Sequence, residues 1–123
     1  MPTRYPDCMV KPNSDVSIDV FAAVDMRVGV VLEVREFPEA RTPAWQIHVD
    51  FGSEVGTRWT SAQVTNYTAE QLVGRRVVGT INLGSRRIAG FVSEFLLLGA
   101  VQADGSVVLL DVDDSAELGS SIA

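Results

Sequence analysis

From Met26 onward the sequence alternates with a period of two residues. Met26, Val28, Val30, Leu32 and Val34 fall on one side, and Arg27, Gly29, Val31, Glu33 and Arg35 on the other. Side chains alternate across a strand, so this segment predicts a long strand whose first set is buried. Trp45, Ile47, Val49 and Phe51 alternate with Gln46, His48 and Asp50 and predict a second half-buried strand. Pro38 and Pro43 bracket the intervening loop, which contains Arg41. Gly52 and Gly56 flank a turn, after which Thr57 to Val64 reads as a third strand. Thr68-Ala69-Glu70-Gln71 then has the spacing of a capping box, with Leu72 and Val73 following and Gly74 as a C-terminal stop. One short helix is implied. Arg75 to Leu83 resumes strand character, with Val77, Gly79, Ile81 and Leu83 on one face. Beyond a turn at Gly84-Ser85, Ile88 to Val101 is apolar and interrupted by Gly90 and Gly99, which reads as one strand bent at a barrel corner. Asp104-Gly105 is a hairpin signal, and Val107 to Val112 the returning strand. Upstream, Ser17 to Val24 predicts a short helical turn capped by Ser17 or Asp19, with Phe21 facing inward.

Five or six strands with a single short helix after the third predict an all-β fold with a short helix. Strand count alone fits an SH3-like barrel or a small sandwich as well. The helix placement favours a five-stranded OB-fold barrel with N- and C-terminal extensions. Residues 1–16, rich in Pro, Asp and Asn without periodicity, are expected to form a loosely ordered arm, and residues 17–123 the domain. The segment after Asp113 is acidic and rich in small residues.

A chain of 123 residues with 46% hydrophobic and 21% charged residues buries enough surface to fold as one domain without a metal or disulfide staple. Its one cysteine, Cys8, has no intramolecular partner, which fits a reducing, cytoplasmic setting. The longest apolar run, Phe95 to Val101, is far below the roughly 20 residues that span a bilayer. Arg4, Asp7 and Lys11 among prolines leave no apolar signal core. The net charge of −6 is unevenly spread: residues 95–123 hold five acids and no cation, whereas Arg41 to Arg87 hold six arginines and three acids. The sum opposes phosphate binding, and the basic middle favours it.

One His and one Cys cannot supply a metal site, and there is no HExxH motif or paired CxxC. No nucleophile–base pair and no phosphate-cradling glycine loop stands out, so neither catalysis nor a cofactor is expected. What remains is a binding surface. Arg58, Thr60 and Ser61, with Gln46, His48, Asp50, Thr80 and Asn82, offer hydrogen-bonding groups on successive strand faces, where barrels of this class take their ligands. Arg75-Arg76 and Arg86-Arg87 are doublets able to grip an anion or to end a strand in solvent. Trp45 alternates with core positions. Trp59 reads either as core or as an exposed aromatic beside Arg58, suited to stacking on a base or capturing an apolar side chain.

These residues also form a recognisable set. Asp25-Met26-Arg27-Val28-Gly29-Val30-Val31, Phe37-Pro38-Glu39-Ala40-Arg41, Val49-Asp50-Phe51-Gly52, Ser61-Ala62-Gln63 and Asn82-Leu83 through Arg86-Arg87-Ile88-Ala89-Gly90-Phe91 resemble, in order, the tRNA-binding-domain family. The likeness runs from about Phe21 to Ile122 and is closest to its CsaA group of export-related chaperones. The resemblance implies an OB barrel, a homodimer and a binding protein rather than an enzyme. It implies unfolded or precursor polypeptides as partners, with ties to the Sec export route, or tRNA as the alternative. Carried over by position, Arg41, Ser61, Gln63, Asn82, Arg86, Arg87 and Ser93 fall on ligand-side motifs, joined by Arg58 and Trp59 from the strand reading. The family's prolines before the basic pair are Gly84-Ser85 here, and its Ser-x-Gly-Met is Ser93-Glu94-Phe95-Leu96, a change that weighs against tRNA. Apolar residues on both parities at Val28–Leu32 and Ile88–Leu98 exceed what a small barrel interior holds. The surplus predicts a dimer whose interface uses Phe21, Phe95, Leu96 and Leu98.

Overall fold

The computed structural model describes residues 11–123. Cys8 and most of the expected N-terminal arm lie outside them; residues 11–16 are exposed and carry no regular structure. The first element is the short helix α1 (Ile18–Ala23), entered at Ser17. Phe21 on it is 39% exposed rather than turned inward, and none of the six helical residues is buried.

The barrel is organised around β1 (Met26–Glu36), the longest strand. Its second half pairs antiparallel with β2 (Trp45–Asp50), and β2 pairs in turn with β3 (Thr57–Ala62). After β3 comes α2 (Ala69–Leu72), whose capping box is complete: the Thr68 hydroxyl accepts from the Gln71 amide, and the Gln71 side chain accepts from the Thr68 amide. Leu72 closes that end of the core and is fully buried, and Gly74 ends the turn at φ +85°. β4 (Arg76–Thr80) then returns to pair with the first half of β1.

Ile88 to Val101 is not one bent strand. β5 (Arg86–Ile88) and β6 (Phe91–Ser93) form a separate hairpin, joined through Ala89 and Gly90 at φ 49° and 83°. Two consecutive positive φ values are the signature of the type I′ turn, whose twist suits a hairpin. β7 (Leu96–Leu97) adds to β4, and β8 (Gly99–Val101) pairs with β9 (Val107–Leu109) across the expected Asp104-Gly105 turn. The principal sheet therefore runs β3-β2-β1-β4-β7. It curls nearly shut where β3 meets the segment before β7. Glu94 donates its amide to the Trp59 carbonyl at 2.7 Å, and its carboxylate accepts from the Trp59 amide at 2.9 Å. The Thr60 hydroxyl donates to the Phe95 carbonyl at 2.7 Å. This is the five-stranded, partly open barrel of the OB class.

Ile47, Val49 and Phe51, all fully buried, occupy the centre with Val31, Val64, Leu72, Val77, Phe95 and Leu109. β1 meets this core on the parity opposite to the one its apolar pattern favoured. A Cβ on Gly29 would run into the Val49 and Phe51 side chains, so Gly29 and Val31 face inward. A bulge at Leu32, where the register with β2 slips between Val31 and Glu33, then restores Val34 to the core side and leaves Leu32 45% exposed. The outer parity is apolar because it too is covered. Val28 is 2% exposed, and its backbone exchanges hydrogen bonds with Gly119 and Ser120 of the C-terminal segment. That segment pairs with β1 where β2 has ended.

Phe95 corrects the expected interface set. It is 5% exposed and packs edge-on against Phe51, ring centroids 5.0 Å apart, so its side chain belongs to the barrel interior.

Candidate binding groove

Two irregular pieces of chain face each other across the outer end of β3: the loop between β1 and β2, and the β5–β6 hairpin. The loop is stiffened by Pro38 and Pro43 and anchored by Phe37 and Ala44, both buried. The hairpin makes no strand ladder with the main sheet and is held by side chains. Phe91 packs on Phe37 at 5.3 Å and stands edge-on to Trp59 at 6.2 Å. Trp59 in turn lies flat on His48 at 4.4 Å, with the Arg35 guanidinium 4.6 Å from its ring. The second tie is Ser93, whose hydroxyl bonds Thr60 at 3.0 Å and accepts from the Ser61 amide at 3.3 Å.

Between loop and hairpin lies a depression of about 390 Å³ lined by Arg41, Ser61, Gln63, Arg86, Ile88 and neighbouring small residues. It continues through Ser61, Arg86 and Ile88 into a second hollow of about 260 Å³, walled by Leu83, Ser93 and Leu96. On the other side, across Ala40, Arg41 and Ala44, a third of about 470 Å³ runs over Phe37, Pro43 and Trp45. The three form one trough with an apolar floor and polar edges.

Four of the sequence-derived positions thus converge on the central depression: Arg41, Ser61, Gln63 and Arg86. Ser93 reaches the neighbouring hollow, although its hydroxyl is spent on Thr60 and Ser61. The rest are elsewhere. Arg58 donates to the Ile81 carbonyl at 2.8 Å. Asn82 ties α1 to the end of β4: it donates to the Ala23 carbonyl and accepts from the Asp25 amide, at 2.7 and 2.8 Å. Trp59 serves as the seat of Phe91. Arg87 alternates with Arg86 and pairs with Val92, so it projects from the opposite face of the hairpin. Sequence reasoning missed Ile88, Ala40 and Ala44 as walls. The signal for Ile88 was its two-residue spacing from Arg86, which puts both on one face of a strand.

Charge is distributed unequally among the arginines. Arg27, Arg35 and Arg75 pair with Asp25, Glu33 and Asp111 at 2.6, 2.6 and 2.7 Å. Arg58 and Arg76 donate to backbone carbonyls. Arg41, Arg86 and Arg87 are exposed and have no hydrogen-bond or ion-pair partner among the described residues. Among those residues, no group of three or more His, Cys, Asp or Glu is placed to hold a metal ion. Among the described residues, no helix is long and apolar enough to cross a membrane.

A nearly closed β-barrel with an outer trough edged by unpaired cations defines a binding module of the OB class. The chain belongs to the tRNA binding domain family, whose profile matches residues 26–121. It is 37% identical over 107 residues to the methionine–tRNA ligase of Methanococcus vannielii, covering 87% of this chain but only 16% of that enzyme. Two solved structures share the fold over 89% of this chain and their whole length, each with a TM-score of 0.83. They are the CsaA chaperone proteins of Picrophilus torridus, 38% identical, and Bacillus anthracis, 40% identical.

Proposed function

We propose that the protein is a homodimeric, cytoplasmic polypeptide-binding module of the CsaA kind, taking unfolded or precursor segments, including clients of Sec export, in the trough beside β3. The trough itself carries this reading. Three joined hollows with an apolar floor, open along one side of the barrel, suit an extended chain better than a compact small molecule. Ile88, Ala44 and Leu83 supply apolar contact, and Ser61 and Gln63 supply hydrogen bonds to a client backbone. The likeness to CsaA chaperones over their full length supports the same reading. Phe21 at 39% exposed and Leu96 at 51%, with Leu98 half-buried, remain the proposed contacts between two copies.

A second reading, a tRNA-binding module, is favoured by the unpaired Arg41, Arg86 and Arg87 and by the relation to methionine–tRNA ligases. Salt separates the two. Fluorescence anisotropy with a reduced, unfolded polypeptide and with bulk tRNA is measured between 50 and 200 mM salt. Contacts to about four phosphates weaken RNA binding by about a hundredfold over that range. Binding governed by apolar contacts changes by less than about tenfold. Tight tRNA binding that collapses with salt, with no polypeptide binding at either salt, overturns the first reading in favour of the second.

A further inference from the structure

We infer that the central depression recognises carboxylate side chains, so that the segments seated there are acidic. This rests on the polypeptide-binding reading and names the chemistry that it selects. Five of the eight arginines between positions 27 and 87 are engaged within the barrel, three by carboxylates and two by backbone carbonyls. The two that are not, and that face the trough, stand on its opposite walls: Arg41 on the loop and Arg86 on the hairpin. A guanidinium presents a planar fork of donors that matches a carboxylate, and charge-assisted hydrogen bonds are the stronger kind. Ser61 and Gln63 line the same depression and add neutral donors between the two cations. An apolar floor with a cationic rim asks for an apolar segment interrupted by Asp or Glu.

The trough continues past the depression in both directions, through Ile88 on one side and Ala44 on the other. A segment therefore passes across the arginines rather than ending at them. That favours side-chain carboxylates over a terminal one. Size argues against a long polyanion. The chain as a whole is acidic, at a net charge of −6, with five acids and no cation in residues 95–123. Screening confines its repulsion to about 8–10 Å at ordinary salt. A short acidic peptide within the trough stays inside that distance of the arginines, while tRNA reaches well beyond it.

The test uses the full chain of 123 residues and short peptides of leucine, alanine and serine, acetylated and amidated at their ends. One carries two glutamates, its counterpart glutamine at the same places, and a third lysine. Titration calorimetry is expected to show the glutamate peptide binding about tenfold more tightly than the glutamine peptide. Arg41→Gln or Arg86→Gln, both at exposed positions, is expected to remove that advantage, so that the glutamate and glutamine peptides bind each variant equally. Equal binding of all three peptides, or preference for lysine, overturns this inference while polypeptide binding itself stands. Binding of none overturns both. A glutamine peptide that gains the full advantage when its C-terminus is left free overturns the side-chain assignment. tRNA that binds through Arg41 and Arg86 at physiological salt and displaces the glutamate peptide overturns the size argument and the inference with it.

Discussion

Phe51 and Phe95 meet edge to face over Gly79, where a Cβ would come within 2.8 Å of both rings. The missing side chain on β4 is what lets two aromatic residues distant in the sequence, Phe51 and Phe95, share one site. Phe95→Ala is expected to cost about 3–5 kcal/mol, as for large-to-small changes in packed cores, read from the urea midpoint. The same loss at high dilution identifies the ring as core; a loss confined to association places it at an interface. Other single residues were legible only as chemistry, not as partners. Asn82 was read as a hydrogen-bonding group on a strand face and Ser93 as a ligand-side position, and both use their polar atoms within the fold. Their partners are Ala23 and Asp25 for one and Thr60 and Ser61 for the other, dozens of positions away. Glu94, part of the departure that weighed against tRNA, spends a carboxylate oxygen on a backbone amide that closes the barrel.

The β5–β6 hairpin hangs on the row Phe37, Phe91, Trp59 and His48 rather than on a ladder. Trp59→Ala is expected to speed amide exchange at Ile88 and Phe91 by about tenfold or more while the β1–β2 amides keep their protection, since local opening follows local packing. A uniform change across the molecule would show that Trp59 supports the whole fold instead. In the β8–β9 turn, the Ser106 hydroxyl and amide both donate to Asp104, at 2.7 and 2.9 Å, and hold its carboxyl below the usual range. A carboxyl depressed by folding stabilises the folded state above its unfolded pKa, and that contribution disappears as pH falls through the folded value. Ser106→Ala is therefore expected to raise the Asp104 pKa toward the ordinary carboxylate value, followed by carbon-detected NMR titration. β2 was legible because one face is buried and the other is not. β1 was not, because both faces are covered over Val28–Val31 and a bulge at Leu32 changes the parity midway. The run from Ile88 onward hid a hairpin because Ala89, an unusual residue at positive φ, gives no turn signal of its own.

Taken as a whole, the molecule follows from the order strand, strand, strand, helix, strand, which is why the barrel was foreseeable when individual boundaries were not. The groove was half legible: positions 41, 61, 63 and 86 could be picked out one by one, but their convergence depends on a hairpin packing that no local pattern encodes. Association is the prediction at this scale. Sedimentation at micromolar concentration is expected to give twice the 13.3 kDa chain mass, and Leu96→Asp, at an exposed position, to halve it. A wild-type monomer would remove the proposed two-copy arrangement. The seam between β1 and the C-terminal segment carries a further consequence. The Arg27 guanidinium reaches the Gly119 carbonyl 92 positions later, and Val28 takes both of its outer backbone bonds from that neighbourhood. A ribosome adding about 5–20 residues per second needs roughly five to twenty seconds to supply that partner. Until then the first half of β1 has a bare flank, so the emerging nascent chain, and not the finished barrel, is the form of this protein most in need of protection from sticking to its neighbours.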